Sequence, residues 1–162
     1  MRTFNSATMT ITPRVWIGCL HCYNNGELVG QWYDAVDAGN VRPHHLHGMP
    51  CSDEHEEMWV MDHENLPIRG EIDPYHAGLW GQAVEAIDPQ WRAPYLAWIE
   101  NQWIQDPQDA PNQQQFNEVF AGEFESFRDY AEMVAGDIDL LYGAPDVAVT
   151  YFDWESYARD LE

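Results

Sequence analysis

Two β-rich runs and one run of alternating apolar and polar positions in the first 66 residues predict a small antiparallel sheet. The β-rich runs, residues 15–20 and 28–33, flank Asn24-Asn25-Gly26, whose Asn-Gly step favours the positive φ angles of a tight hairpin turn. Residues 57–63 alternate and predict a third strand, and residues 34–39 fit a short helix. This part of the chain is therefore expected to be mostly sheet.

The pattern changes to helical spacing in the middle of the chain. Asp73-Pro74 and Asp88-Pro89 each place an N-cap residue before a proline, which is favoured in the first helical position. After the second signal, large apolar residues recur at intervals of three or four: Trp91, Tyr95, Trp98, Ile99 and Trp103.

Two capping signals predict helices in the last third. Ser126 followed three residues later by Asp129 is the capping-box arrangement, and Asp153 is an N-cap for a terminal helix over 154–161. Two apolar faces are expected to be buried here: Phe116, Val119 and Phe120 before Gly122, and Phe127, Tyr130, Ala131 and Val134 after Ser126.

Together these elements predict an α+β fold built as three small units in a row. Residues 1–66 form an antiparallel β-sheet unit with a short helix, residues 67–108 a helical unit, and residues 109–162 a mixed helical and strand unit. The polar stretch 109–115, DAPNQQQ, is typical of a linker that leads into a helix.

The charge of the chain limits the classes of partner that it can bind. The chain has 28 acidic residues, seven arginines and no lysine, for a formal net charge of −21. A hydrophobic content of 45% with 14% aromatic residues indicates a folded rather than a disordered chain. A protein this negative repels phosphate and anionic lipid, which excludes nucleic-acid readers and membrane-surface binders.

The acidic residues are unevenly distributed. Residues 1–26 contain none, whereas residues 118–162 contain twelve acids and only two arginines. A role as helix N-caps would by itself explain Asp73, Asp88, Asp129 and Asp153. For the other acids, the scarcity of compensating cations favours a surface that binds a basic partner over a face that is merely solvated. The candidate carboxylates are Glu71, Asp73, Glu85, Asp88, Glu100, Glu118, Glu123, Glu125, Asp129, Glu132, Asp153, Glu155 and Asp160.

A metal site is the second hypothesis that the residues raise. Cys19 and Cys22 have C-x-x-C spacing, and zinc-type ligands follow at His44, His45, His47, Cys51 and His55. However, Cys19 and Cys22 fall three apart on the predicted strand, which would direct their side chains to opposite faces. We therefore expect no metal: Cys19 packs in the core, and the His-rich stretch, interrupted by Pro43, Gly48 and Pro50, forms an irregular surface loop.

Catalysis and membrane insertion are not favoured. Glu54, Glu56 and Glu57 beside His55 resemble an acid–base cluster, but no nucleophile motif, phosphate-binding loop or cofactor signature accompanies them. No apolar run approaches the length of a membrane span, residues 1–14 lack the apolar core of a signal peptide, and the cysteine count is odd. We expect a cytosolic protein that is not an enzyme and needs no cofactor.

Three motifs, in order, resemble the ArdA antirestriction family. Residues 13–20 (PRVWIGCL), 23–26 (YNNG) and 30–35 (GQWYDA) resemble its opening hairpin. Residues 116–126 (FNEVFAGEFES), followed by Asp129-Tyr130-Ala131, resemble its antirestriction motif, and residues 151–162 (YFDWESYARDLE) resemble its C-terminal signature.

The resemblance implies an elongated homodimer that mimics double-stranded DNA and is encoded on phages, plasmids or other mobile elements. Such a protein occupies the DNA-binding groove of Type I restriction-modification enzymes in the host cytoplasm and protects incoming DNA. Two other interpretations remain open: a decoy for another DNA-handling defence complex, such as a CRISPR effector, or an acidic protein adapted to high salt without mimicry.

Overall fold

A computed structural model describes residues 11–50 and 52–162 and confirms an α+β fold with an antiparallel sheet. The sheet has three strands in the order β2-β1-β3, so the first strand is central. Both neighbours run antiparallel to it. The bounds are β1 Arg14–Cys19, β2 Gly30–Asp34 and β3 Met58–Glu64.

The residues of the central strand β1 alternate between a buried face and a second, less buried face. Val15 and Ile17 are fully buried, whereas Trp16 on the other face pairs with Trp32 of β2. The pairing with β3 shifts register between Trp16 and Ile17, which is a β-bulge. Burial of one face therefore fixes which residues of β1 point inward.

The connection between β1 and β2 differs from the predicted tight turn. A one-turn helix, α1 (Leu20–Asn24), follows β1 directly, because the amide of Leu20 donates to the carbonyl of Glu57 and the chain then turns. Gly26 has the positive φ expected of it, at 82°, but it closes the end of α1 rather than a two-residue hairpin. The prediction of a strand through Leu20 was wrong at this point.

The His-rich segment is more regular than expected. Residues Ala35–Asn40 form the predicted short helix, of 3-10 type, but α2 (Pro43–His47) was not predicted. Pro43 occupies the first turn of α2, where a proline is tolerated, and Gly48 ends it in the left-handed conformation. A second 3-10 helix covers Asp53–His55.

The predicted helix after Asp73 is confirmed as α3 (Pro74–Glu85), and Asp73 accepts hydrogen bonds from two amides of its first turn. Small residues of α3 allow it to pack closely against the 3-10 helix Ala35–Asn40, since a Cβ on Gly81 would lie only 2.7 Å from the Cβ of Ala35. Buried Trp80 and Val84 complete the inward face.

The second helical signal is confirmed less fully. A 3-10 helix (Pro89–Trp91) precedes α4 (Arg92–Ile99), and Asp88 makes no side-chain cap. Trp103 lies beyond α4 with a positive φ of 55°, so the helical spacing does not extend to it. A last 3-10 helix covers Pro107–Asp109.

An aromatic cluster joins α4 to α5 (Gln113–Val119). The ring of buried Tyr95 lies 5.8 Å from that of Phe116, and its hydroxyl donates to the carbonyl of Pro111 at 2.7 Å. Burial raises the pKa of Tyr95 to about 12. Phe116 is buried as predicted, but Val119 is exposed.

Residues 120–162 form a separate compact unit, distinct from residues 1–119. Its helices are α6 (Phe127–Asp137), α7 (Asp146–Thr150) and α8 (Trp154–Leu161), and the caps at Ser126 and Asp153 are confirmed. Its buried residues are small: Ala131, Ala135 and Ala158.

Some expectations for the last third do not agree with the structure. Phe127, predicted to be buried, is 42% exposed. All regular elements described in 109–162 are helical, so the strand component expected there is not formed. The boundaries of the three predicted units stay a prediction. No helix in the described residues is both long enough and apolar enough to cross a membrane.

Candidate acidic surface and cysteine–histidine cluster

Six of the candidate carboxylates belong to the first unit and most are exposed. Asp73 and Glu85, at the two ends of α3, are half-buried. The other four are exposed and lie before α3, before the 3-10 helix Pro89–Trp91, at the end of α4 and within α5: Glu71, Asp88, Glu100 and Glu118.

Asp73 has a structural role. One carboxylate oxygen accepts from the amides of Tyr75 and His76, and the other lies 2.5 Å from Nδ1 of His76. Partial burial acts to raise the pKa of Asp73, but these hydrogen bonds and the charge of His76 together hold the pKa below its usual value. The capping interpretation therefore accounts for Asp73.

The seven candidates of the second unit are all exposed, as surface contact with a partner requires. They lie in the segment before α6, in α6 and in or beside α8: Glu123, Glu125, Asp129, Glu132, Asp153, Glu155 and Asp160.

Three of the seven are engaged within the unit. Ser126 donates to Asp129 at 2.7 Å, and Arg128 donates to Glu132 at 2.8 Å. The hydrogen bond to Glu132 raises the pKa of Arg128. Hydrogen bonds from the side chain and amide of Ser156 lower the pKa of Asp153, which caps α8. Among the described residues, no hydrogen bond or ion pair engages the other four carboxylates: Glu123, Glu125, Glu155 and Asp160. The charge of Glu155 nevertheless acts on nearby Arg128 and helps to raise its pKa.

Three of the six arginines in the described residues donate to backbone carbonyls rather than to acids. Arg92 is buried and donates to the carbonyls of Ile11, Glu85 and Ile87. Others do the same on the surface: Arg42 donates to the carbonyls of Gly39 and Val41, and Arg69 donates to that of Glu100 while lying 4.2 Å from the ring of Trp103.

Only two arginines within the described ranges form ion pairs with carboxylates. These pairs are Arg14 with Asp34 at 3.8 Å and Arg128 with Glu132. The few cations of the chain therefore leave most surface carboxylates without a compensating charge.

A separate cluster brings two cysteines and two histidines together in the first unit. Single ligand atoms of Cys19, Cys22, His47 and His55 all lie within 4.8 Å of one another. Nδ1 of His55 lies 3.3 Å from the Sγ of Cys19 and 3.5 Å from that of Cys22. Both cysteines are buried, and both histidines are half-buried.

This geometry corrects the expectation that the two cysteines face opposite ways. Cys19 ends β1, and Cys22 lies in α1 rather than on a continued strand. The helical turn between them directs both thiols toward His55. The C-x-x-C spacing was the available signal, but the predicted strand led us to reject it. Of the other ligands considered, Cys51 lies outside the described residues.

A comparison with models of known protein families identifies the family of the chain. The model described as "Antirestriction protein (ArdA)" matches residues 15–162, nearly the whole chain. The chain belongs to the ArdA family. The resemblance drawn from the three motifs is thereby confirmed. No curated protein matches the chain significantly.

The ArdA match covers both features of the molecule. All thirteen candidate carboxylates and the four residues of the cysteine–histidine cluster lie within residues 15–162. The family assigns the chain to antirestriction proteins.

Proposed function

We propose that the chain is a DNA mimic that occupies the DNA-binding groove of a Type I restriction-modification enzyme and so protects incoming DNA. The observation that carries the proposal is the exposed, uncompensated acidic surface. Its clearest members are the four exposed carboxylates of the second unit that make no hydrogen bond or ion pair within the described chain: Glu123, Glu125, Glu155 and Asp160. Membership of the antirestriction family supports the same conclusion.

The amount of charge is suited to this role. B-DNA carries one negative charge per about 1.7 Å of helix axis. Two copies of a chain with a net charge of −21 would carry the charge of about 70 Å of duplex. A basic channel attracts such a surface over long range, which accelerates association at low salt.

Mimicry requires carboxylates held in place and no chemistry. Helix caps and ion pairs within the second unit, such as those of Asp153 and Glu132, fix α8, which carries Glu155 and Asp160, and α6, which follows the segment with Glu123 and Glu125. We therefore propose a non-enzymatic protein that acts in the host cytoplasm, binds no nucleic acid itself and needs no cofactor for inhibition.

Competition with DNA tests the proposal. A labelled duplex is bound to the methyltransferase core of a Type I enzyme, and increasing amounts of the protein are added. We expect displacement at low salt, with an apparent affinity that falls by about 100-fold or more between about 50 and 200 mM salt, because screening weakens contacts between many charges. Failure to displace DNA at low salt would contradict the proposal for this target.

The same titration separates the two alternatives. Displacement of DNA from a CRISPR effector but not from the Type I core would favour a decoy for that other complex. Circular dichroism over the same salt range addresses adaptation to high salt: that alternative expects unfolding in dilute buffer, whereas a mimic stays folded there and binds most tightly.

We also propose that the chain forms a homodimer through exposed apolar side chains of the second unit. Residues 138–151 carry several exposed apolar side chains, including Tyr142 at 89% and Tyr151 at 81% exposure. Exposed apolar groups concentrated in one segment are typical of protein interfaces.

Replacing Tyr142 and Tyr151 by aspartate should therefore convert the dimer to a monomer, because the interface would lose apolar contact and gain charge. Sedimentation velocity measures the change. The matched control replaces Tyr23 and Tyr75, which are also exposed but lie in the first unit, and should leave a dimer. A wild-type monomer, or equal dissociation of both variants, would contradict this interface.

A further inference from the structure

We propose that Cys19, Cys22, His47 and His55 bind one Zn²⁺ ion as a structural site. Two thiolates and two imidazoles form a common zinc ligand set, and these four residues place one ligand atom each within 4.8 Å of the others. The proposal concerns the folding of the first unit and does not depend on the proposed inhibitory function.

The separations are close to those of a zinc-bound state. With Zn–S bonds of about 2.3 Å and Zn–N bonds of about 2.0–2.1 Å, the ligand atoms of a tetrahedral site lie about 3.4–3.8 Å apart. Nδ1 of His55 lies 3.5 Å from the Sγ of Cys22, which is within this range, and 3.3 Å from that of Cys19, which is about 0.1 Å below it. The largest separation in the cluster, at most 4.8 Å, needs a movement of about 1 Å, which side-chain rotation supplies.

His47 supplies an independent observation. Its Nε2 atom is buried and has no hydrogen-bond partner among the described residues. A buried nitrogen without a partner is unfavourable, and metal binding would satisfy it. His47 also lies beside His55, with ring centroids 4.7 Å apart.

Neighbouring histidines are engaged in other contacts. Nε2 of His21 lies 3.0 Å from the side-chain nitrogen of Asn25, and Nδ1 of His45 accepts from the amide of Arg42 at 2.9 Å. These contacts leave the four-residue set as the one that the geometry brings together.

The ligand chemistry selects the metal and its role. A tetrahedral set of two sulfurs and two nitrogens favours Zn²⁺ over hard cations such as Mg²⁺ and Ca²⁺, which prefer oxygen. Four protein ligands leave no open position for water or substrate, so the site is structural rather than catalytic. The spacing between His47 and His55 is longer than in a zinc finger, so the resemblance lies in the ligand set and not in the finger motif.

Zinc would join segments that are distant along the chain. Cys19 and Cys22 lie at the end of β1 and in α1, His47 ends α2, and His55 ends the 3-10 helix Asp53–His55. The ion would thus fasten the connection between β2 and β3 to the end of the central strand. A backbone hydrogen bond, from the amide of Leu20 to the carbonyl of Glu57, already joins the end of β1 to the residues just before β3.

Metal analysis of the full chain tests the proposal. The protein is produced without a histidine tag, dialysed against a weak chelator and measured by elemental analysis. We expect one zinc per chain, and its loss from the variant in which both Cys19 and Cys22 are replaced by serine and from His47→Ala. His44→Ala and Cys51→Ser are matched controls that should keep the metal.

A second measurement uses the wild-type chain and so does not depend on whether the variants fold. Zinc is removed with a strong chelator under reducing conditions, and Co²⁺ is titrated in. The expected result is the intense visible spectrum of tetrahedral Co²⁺ with a thiolate charge-transfer band, lost on addition of Zn²⁺. No zinc in the wild type together with no such spectrum would overturn the proposal, and loss of zinc in Cys51→Ser would overturn this ligand set.

Discussion

Replacing Glu123, Glu125, Glu155 and Asp160 together by lysine should weaken displacement of DNA from the target enzyme by about 100-fold or more. All four side chains are exposed and make no hydrogen bond or ion pair within the described residues. The charge of Glu155 acts on Arg128, which is itself exposed, so the fold relies little on the four carboxylates. The substitutions replace four attractive contacts with a basic channel by four repulsive ones. The competition assay at low salt measures the loss.

The structure determines this choice of residues. Glu132 and Asp129 are also exposed candidates, but the first pairs with Arg128 and the second with Ser126, so their reversal would disturb α6 as well as binding. Restricting the change to uncommitted carboxylates separates recognition from stability. Circular dichroism should detect no change in helix content.

A second variant with the same change in charge is the control. Replacing Glu27, Glu56, Glu57 and Glu64 of the first unit by lysine raises the net charge equally, and these side chains are likewise exposed. We expect a much smaller effect. If both variants lost the same affinity, net charge alone would govern binding, and a localised mimic surface in the second unit would be wrong.

Replacing Arg92 by methionine should lower the free energy of unfolding of the first unit by about 3 kcal/mol. Methionine retains most of the apolar stem, but the carbonyls of Ile11, Glu85 and Ile87 lose their donor. A carbonyl left without a partner in a buried place costs about 1–3 kcal/mol.

Urea unfolding followed by tryptophan fluorescence measures this loss. Seven of the eight tryptophans lie before residue 120, so the signal reports mainly on the first unit. Arg42→Met is the matched control: its guanidinium also donates to two carbonyls, but it is exposed, and water can replace it. Equal losses for the two variants would contradict the expectation that the buried hydrogen bonds of Arg92 stabilise the fold more than the exposed ones of Arg42.

Local signals predicted the parts of the fold that depend on neighbouring residues. The caps at Asp73, Ser126 and Asp153 were read correctly because each hydrogen bond joins a side chain to amides two or three positions away. The β-rich run that begins at Val15 likewise predicted the first strand, because β-branched and aromatic residues favour strands.

The errors arose where distant contacts override the local pattern. Leu20 continues a β-rich run, yet its amide bonds to Glu57, 37 positions away, and the chain enters α1. Trp103 continues the helical spacing of α4, yet it leaves the helix and packs against Arg69. The residues next to Leu20 and Trp103 in the sequence give no indication of these distant contacts.

The candidate site followed the same division. Excess charge is a property of composition, so a surface rich in carboxylates could be expected from the sequence, although which carboxylates are engaged by Ser126, Arg128 or Ser156 required the structure. The cysteine–histidine cluster could not be anticipated once Cys22 was placed on a strand, because its sulfur then pointed away from that of Cys19.

Because the surface is rich in carboxylates and the chain has no lysine, the chain can supply only the acid side of a side-chain cross-link between an acid and an amine. Carbodiimide coupling joins a carboxylate to an amine, and this chain supplies no side-chain amine because it has no lysine. In a complex with a lysine-bearing enzyme, any such bond between side chains of the two proteins joins an acid of this chain to a lysine of its partner. Each cross-linked peptide therefore identifies one point of the acidic surface and the basic residue that faces it.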